Sequence, residues 1–207
     1  MSSSRPARWR TVGPVSLGLF LGLGLAVSAT GALPGDTFLG GELAVNDTSV
    51  TGLMRWVNYG GRAQVLVPGT ILVFWLSSVA RRHWWLWCVA LIGAPLVQNV
   101  LKFLVGRSRP DGASLGFPSG HAIAAATFSA VLIYVASRER LSRWQRWAVV
   151  ALAVCFMLAV GWARIVRHAH WPSDVLGGFL LGICCAAAAA WWETSRSEAR
   201  APCTETR

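Results

Sequence analysis

Three short stretches hold the residues that could do chemistry. The first is Lys102 followed by Arg109-Pro110, the second is Pro118-Ser119-Gly120-His121, and the third is Arg164 followed by His170 and Asp174. As patterns they read K-x6-R-P, P-S-G-H and R-x5-H-x3-D. A phosphate ester carries charge on its equatorial oxygens during transfer, so a metal-free site for it needs fixed cations and hydrogen-bond donors. Lys102, Arg109 and Arg164 supply the cations: the arginines suit planar, bidentate contact and the lysine acts as a point charge. Ser119 and Gly120 stand between Pro118 and an apolar run. That places them at a predicted helix N-terminus, where free N–H groups and the positive dipole end favour an anion. Gly120 lets a phosphate approach the backbone closely. Ser119 could also cap the helix, and the two roles are compatible.

The three motifs, in this order, resemble the type 2 phosphatidic acid phosphatase superfamily, which also contains bacterial lipid-diphosphate phosphatases, acid phosphatases and the vanadium haloperoxidases. The matching core runs from about 62 to 192. One position departs from the pattern: Ala163 stands where the family usually has Ser before the third motif's arginine. The change removes one possible hydrogen bond and no charged group. The resemblance implies an all-α fold, a six-transmembrane-helix bundle of the phosphatidic acid phosphatase type 2/haloperoxidase-like kind, with its catalytic cleft at the outer membrane face and open sideways to lipid. It also implies a metal-independent enzyme without a cofactor, acting on a lipid phosphate through a phosphohistidine. Polyprenyl (undecaprenyl) diphosphate is the first substrate expected, and phosphatidic acid or phosphatidylglycerol phosphate the alternative.

Within that reading His170 and Asp174 form a pair. Proline is tolerated in a first helical turn, so Trp171-Pro172-Ser173 places His170 just ahead of the last apolar run and Asp174 inside its first turn. There the carboxylate can accept from one ring nitrogen, fix the tautomer and leave the other nitrogen's lone pair free to attack phosphorus. His121 is then the general acid that protonates the departing alkoxide and afterwards activates water. His168, two residues from His170, has no acid at the four-residue offset and takes no role. For Arg107 and Arg167, outside the motifs, snorkelling to lipid headgroups is as good an account as a place in the site. Two other classes would use the same residues. A vanadate-dependent haloperoxidase implies a larger, soluble scaffold, and a noncatalytic lipid-phosphate carrier leaves both histidines and Asp174 unexplained.

The elements that position these motifs are hydrophobic. Of 207 residues 54% are hydrophobic and twelve are tryptophan, which excludes an ordinary soluble enzyme. Charge-free intervals at 11–35, 63–80, 84–101, 122–137, 147–163 and 175–192 each approach the roughly 17–25 residues that cross a bilayer as helix. They predict six spans in a membrane domain at 11–192, between a tail at 1–10 and a polar, frayed tail at 193–207. Val27-Ser28-Ala29 could pass for a signal-peptidase site, but the apolar interval before it outlasts a signal peptide's core, so the first span is expected to be retained. The stretch 51–59 reads either as a short interfacial helix anchored by Trp56 and Tyr59 or as a loop. Cys88, Cys155, Cys184 and Cys185 fall in spans and Cys203 in the tail, so they read as packing residues without a disulfide or metal role.

A formal net charge of +10 would raise nucleic acid as a partner in a soluble protein. Here position accounts for it. Arg5, Arg8 and Arg10, then Arg81 and Arg82, then Arg138, Arg140, Arg143 and Arg146, then Arg196, Arg200 and Arg207 fall on one side of the predicted membrane. That is the positive-inside pattern, with both termini cytoplasmic and the motif loops outside. Lys102, Arg107, Arg109, Arg164 and Arg167 break the rule on the outer side and need a local reason. The partners expected are thus the bilayer and an anionic lipid, with no nucleic acid; oligomeric state leaves no mark in the sequence. A cysteine placed at Ala113 should label with an impermeant thiol reagent on intact cells, and one at Ser142 only after permeabilisation. The reverse pattern would put the motifs in the cytoplasm.

Overall fold

In a bilayer the backbone must satisfy its own N–H and C=O groups, and a helix does so within one segment. The computed structural model describes residues 5–42, 48–112 and 114–199, and among these there is no β-strand, only an isolated bridge between Ser108 and Leu115. In chain order the helices are α1 (Arg5–Thr30), α2 (Pro34–Glu42), α3 (Thr48–Tyr59), α4 (Ala63–Leu76), α5 (Ser78–Arg82), α6 (Trp84–Val105), α7 (Gly120–Arg138), α8 (Arg143–Val166) and α9 (Pro172–Ala199). Among the described residues five segments are long and apolar enough to cross a membrane: Trp9–Thr30, Trp84–Val105, Gly120–Arg138, Arg143–Val166 and Pro172–Arg196.

The interval 63–80 departs from the expected single span. α4 ends at Leu76 because Ser77 is extended, with φ −116° and ψ 121°. The Ser77 hydroxyl accepts from Ala80 N at 3.1 Å, capping α5, and donates to Glu139 Oε1 at 2.5 Å. Val79 N donates to the same oxygen at 3.2 Å, so Glu139 replaces bonds that a continuous helix would have made internally. The Ser77 hydrogen bond in turn holds the Glu139 carboxyl below its ordinary value. At 1.5 Å per residue α4 alone is about 21 Å long, short of a hydrocarbon core of roughly 30 Å.

The ends differ as well. α1 begins at Arg5, ahead of 11, and α9 continues past 193 to Ala199 with Glu193 and Thr194 buried. Glu193 accepts from the Tyr134 hydroxyl, which ties the end of α9 to α7. Of the two readings of 51–59 the helical one holds, as part of α3, with Trp56 exposed and its ring 5.9 Å from that of Tyr59. Cys203, Arg200, Arg207, Ala113 and residues 1–4 lie outside the described residues.

α7 and α9 form the centre, with α1 along α9, and α8 and α6 against α7. Small residues set the spacing, because helices in lipid gain from close backbone approach. Gly178 and Gly182 face α7: a Cβ on Gly182 would stand 2.5 Å from the Ile123 carbonyl oxygen, and one on Gly178 2.6 Å from that of Ser119. Thr127 Oγ1 donates to Ile123 O at 2.9 Å and reaches Gly182 O at 3.3 Å. This approach brings the first turns of α7 and α9 together, and Ser119 N donates to Asp174 O at 2.9 Å.

Overpacking a tight contact costs about 1–3 kcal/mol. Gly182→Val should therefore melt well below the parent protein in detergent, whereas Gly18→Val, where a Cβ meets nothing within 4 Å, should melt like it. Equal melting of the two variants would show that Gly182 does not set the α7–α9 spacing.

Candidate active site

At one end of the bundle the C-terminal turns of α6 and α8 meet the N-terminal turns of α7 and α9. A cavity of about 770 Å³ opens there, lined at its polar end by Lys102, Arg109, Gly120, His121, Arg164 and His170. Of the eight residues singled out by their spacing, these six line the cavity. Ser119 and Asp174 are fully buried next to it in the chain and behind His170. Arg62 and Gln98 also line it, and the Arg62 guanidinium lies 4.3 Å from the centre of the Tyr59 ring. His168 is exposed, with φ 51°, and is not among the lining residues; nor is Arg167.

His170 Nδ1 lies 3.2 Å from Asp174 Oδ2, and Trp171 N donates to the same oxygen at 3.1 Å. A carboxylate at Nδ1 keeps the proton on that nitrogen, which leaves Nε2 with the lone pair. Burial pushes the His170 imidazole down to about 4; the Asp174 hydrogen bond opposes the shift and the charges of Arg164 and Arg109 add to it. The ring is therefore neutral near pH 7, the state a nucleophile needs.

Ser119 occupies the N-cap position of α7 but makes no side-chain cap bond. Its Oγ is buried without a protein partner, as are His121 Nε2 and Gln98 Oε1. Buried polar atoms are seldom left unpaired, and three in and beside one cavity mark a place for a polar ligand. Arg164 Nη1 donates to Asn58 Oδ1 at 2.7 Å, while its Nε has no protein partner. Arg109 Nε donates to Leu115 O at 3.3 Å. The arrangement can hold a multiply charged oxyanion among four cations with an imidazole lone pair on one side. Among the described residues no three of His, Cys, Asp and Glu stand together as a metal site.

Of the two accounts open for Arg107, snorkelling to lipid headgroups is not the one the structure shows. Gly106, in the left-handed region at φ 68°, ends α6, and the chain then carries Arg107 into the bundle, where it is buried. Its Nη1 donates to Ser173 Oγ at 2.6 Å and Asp174 Oδ1 at 2.9 Å, and its Nη2 to Asp36 Oδ2 at 2.6 Å. Burial raises the Asp36 carboxyl, but hydrogen bonds from the Ser173 hydroxyl and backbone, Arg107 and Leu33 outweigh it and hold the group below its usual value. Sequence reasoning missed Asp36, Asn58, Arg62 and Gln98. Only Gln98 carried a local signal, a polar side chain one turn before Lys102 in an apolar run.

Residues 83–198, more than half of the chain and including all three motifs, match the model of the PAP2 superfamily. Similar proteins include phosphatidylglycerophosphatase B of Bacillus subtilis (strain 168), 29% identical over 182 residues that span 82% of this chain and 89% of that protein. Another is an undecaprenyl-diphosphatase of Sulfolobus acidocaldarius, 24% identical over 146 residues, 65% of this chain and 66% of that protein. Among solved structures, a transmembrane PAP2-type phosphatidylglycerolphosphate phosphatase from Bacillus subtilis superposes with a TM-score of 0.77 at 25% identity, over 88% of this chain and 96% of that one. Aquifex aeolicus LpxE shares the fold, with a TM-score of 0.58 at 21% identity over 77% of this chain and 97% of that one.

The His170 shift has a consequence for stability. The folded value of about 4 lies below the ordinary 6.5, so between these limits the unfolded chain binds more protons. Folding is then favoured above this window and loses stability as pH falls through it. The melting temperature in detergent should drop between pH 6.5 and 4, and less steeply in His170→Gln. Identical pH dependence in the two proteins would show that His170 is not held neutral by the fold.

Proposed function

The chain belongs to the PAP2 superfamily, and from that premise we propose that it is an integral membrane phosphatase that hydrolyses a lipid phosphate through a phosphohistidine at His170. The observation that carries this reading is the His170 imidazole, backed by Asp174, on the wall of a cavity lined by Lys102, Arg109, Arg164 and Arg62. His170 Nε2 attacks phosphorus as the bond to the lipid oxygen breaks, and His121 donates a proton to that oxygen. The cations and the N–H groups of the α7 N-terminus balance the charge on the equatorial oxygens. Water, deprotonated by His121, then cleaves the N–P bond and releases inorganic phosphate.

The remaining wall of the cavity fits the lipid part. It includes Leu66 and Val67 of α4 and Leu91, Ile92 and Leu96 of α6, so a headgroup at the cations leaves its tail against apolar side chains that face the bilayer. In this reading α4 and α5 together make a sixth crossing, both termini are cytoplasmic, and the site opens on the extracytoplasmic face, in keeping with the positive-inside charge pattern. Phosphatidylglycerol phosphate becomes the first substrate and polyprenyl diphosphate the second. That reverses the order expected from sequence, because the relative named for the former aligns over 82% of the chain and the one named for the latter over 65%.

The test is phosphate release by purified protein from a panel of lipid monophosphates and diphosphates. Release should persist in excess EDTA; its loss on chelation and recovery with a divalent ion would overturn the metal-free mechanism. His170→Ala should stop turnover of every substrate. His121→Ala should slow phosphoenzyme formation from a lipid monophosphate by roughly 10²–10⁴, and far less from an aryl phosphate, whose leaving oxygen needs no proton. Equal loss on the two substrates would mean that His121 binds phosphate instead of donating a proton. Tight binding without release from any lipid would favour a carrier.

A further inference from the structure

α2 and α3 lie outside the family-matched residues 83–198, yet each sends a polar side chain into the catalytic end of the bundle. Asn58 of α3 accepts from Arg164, and Asp36 of α2 accepts from Arg107. Asp36 and Asn58 are each 1% exposed and Arg107 7%, so neither solubility nor headgroup contact explains them. A buried carboxylate is costly unless its lone pairs are filled. Asp36 has four donors: Leu33 N at 3.1 Å, Ser173 N at 2.8 Å, Ser173 Oγ at 2.7 Å and Arg107 Nη2 at 2.6 Å.

The placement of Arg107 makes this more than structural. Its guanidinium sits between two carboxylates, Asp36 on one edge and Asp174 on the other. Alone, a guanidinium on Asp174 would cancel the negative charge on which the His170 ring relies. With Asp36 on its far side, one cation stands between two anions and the group keeps a net negative charge behind His170. Phosphoryl transfer to Nε2 makes the ring positive, so that negative charge favours the product side of the step. Arg107 also occupies Oδ1 of Asp174, which leaves Oδ2 to His170 and the Trp171 N–H.

We propose that Asp36 is a positioning residue for the reaction, acting through Arg107 to orient Asp174 and to restore to it the negative charge that backs His170. The proposal rests on the reading of His170 as nucleophile. The charged and titratable groups facing His170 from the surrounding elements are Arg62 at the start of α4, Lys102 of α6, Arg109 of the following connection, His121 of α7, Arg164 of α8 and Asp174 of α9. Behind Asp174 stand Arg107 and then Asp36.

The experiment is an NMR titration of [15N]histidine-labelled protein in detergent micelles, with the His170 signal assigned by its loss in His170→Gln. It needs no substrate. Asp36→Asn keeps the side chain's size and should move the His170 titration to lower pH. Arg107→Gln should move it to higher pH, each by about one unit for a charge change at this range in a partly polar interior. The double variant should return near the parent value. Shifts in the same direction, or none, would overturn the proposal, because lost packing has no reason to give opposite signs. In turnover, Asp36→Asn should lower kcat by about tenfold, as loss of an outer hydrogen-bond partner does, with KM little changed since Asp36 does not line the cavity. A parent protein that releases no phosphate, or a His170→Gln variant that still does, sinks the nucleophile reading while the titration still decides the coupling. Unchanged kcat in Asp36→Asn of an active, His170-dependent enzyme sinks the positioning role.

Discussion

Asp174 is the group on which the rest of the site depends. Its side chain is fully buried and accepts from three directions: His170 and the Trp171 N–H at Oδ2, and Arg107 at Oδ1. Its backbone oxygen accepts from Ser119 N, so one residue at the start of α9 fixes the loop before it, the connection after α6 and the first turn of α7. Gly116 makes room for this junction, since a Cβ there would stand 2.7 Å from Asp174 Oδ2. Breaking such a buried, charge-assisted cluster by removing one partner leaves another uncompensated, which is far more damaging than losing an exposed pair. The geometry of the candidate site and the stability of the fold are therefore the same problem here.

The cations around the cavity are held differently. Lys102 and Arg164 sit in the last turns of α6 and α8, where the negative dipole end favours positive charge, and Asp174 sits in the first turn of α9, where the opposite holds. Among the described residues no carboxylate lines the cavity. Arg164 is steadied by a neutral amide, Asn58, so its orientation is fixed without its charge being spent on the protein. Lys102, Arg109 and Arg164 thus repel one another across a space that an oxyanion can fill, and the free fold carries a strain that ligand relieves. Any anion that binds the folded state alone must stabilise it by mass action.

What could be read from sequence follows from how local each interaction is. The His170–Asp174 pair is an i, i+4 contact across a proline-started helix, so spacing alone placed it. Lys102, Arg109 and the α7 N-terminus were legible because each motif lies at the end of an apolar run, such ends on one side of a membrane share one water layer, and the three motifs in order resemble one family. Asp36 and Asn58 were not, because their partners are 71 and 106 residues away and nothing in their own neighbourhood calls for a buried acid or amide. Arg107 was ambiguous for a related reason. A cation at a helix end is equally at home in headgroups, and only the turn at Gly106 and the arrival of α2 decide the matter. The break at Ser77 was hidden too, since it requires Glu139, 62 residues away, to accept the hydrogen bond that makes a bend at an apolar position tolerable.

The unpaired polar atoms bear on the proposal that this site takes a lipid phosphate. Gln98 sits within the span Trp84–Val105, and a Cβ on Gly120 would stand 1.8 Å from its Oε1, so the amide packs directly on the backbone of the P-S-G-H motif. A buried unpaired acceptor costs about 1–3 kcal/mol, and at membrane depth such a residue is kept only where a partner visits it. Its neighbours on the same wall, one and two turns nearer the start of α6, are apolar. The cavity therefore changes from cationic to neutral polar to apolar along α6 within a few turns. A molecule matching that sequence has a charged head, a short polar junction and a hydrocarbon tail, which is the order of groups in a lipid phosphate.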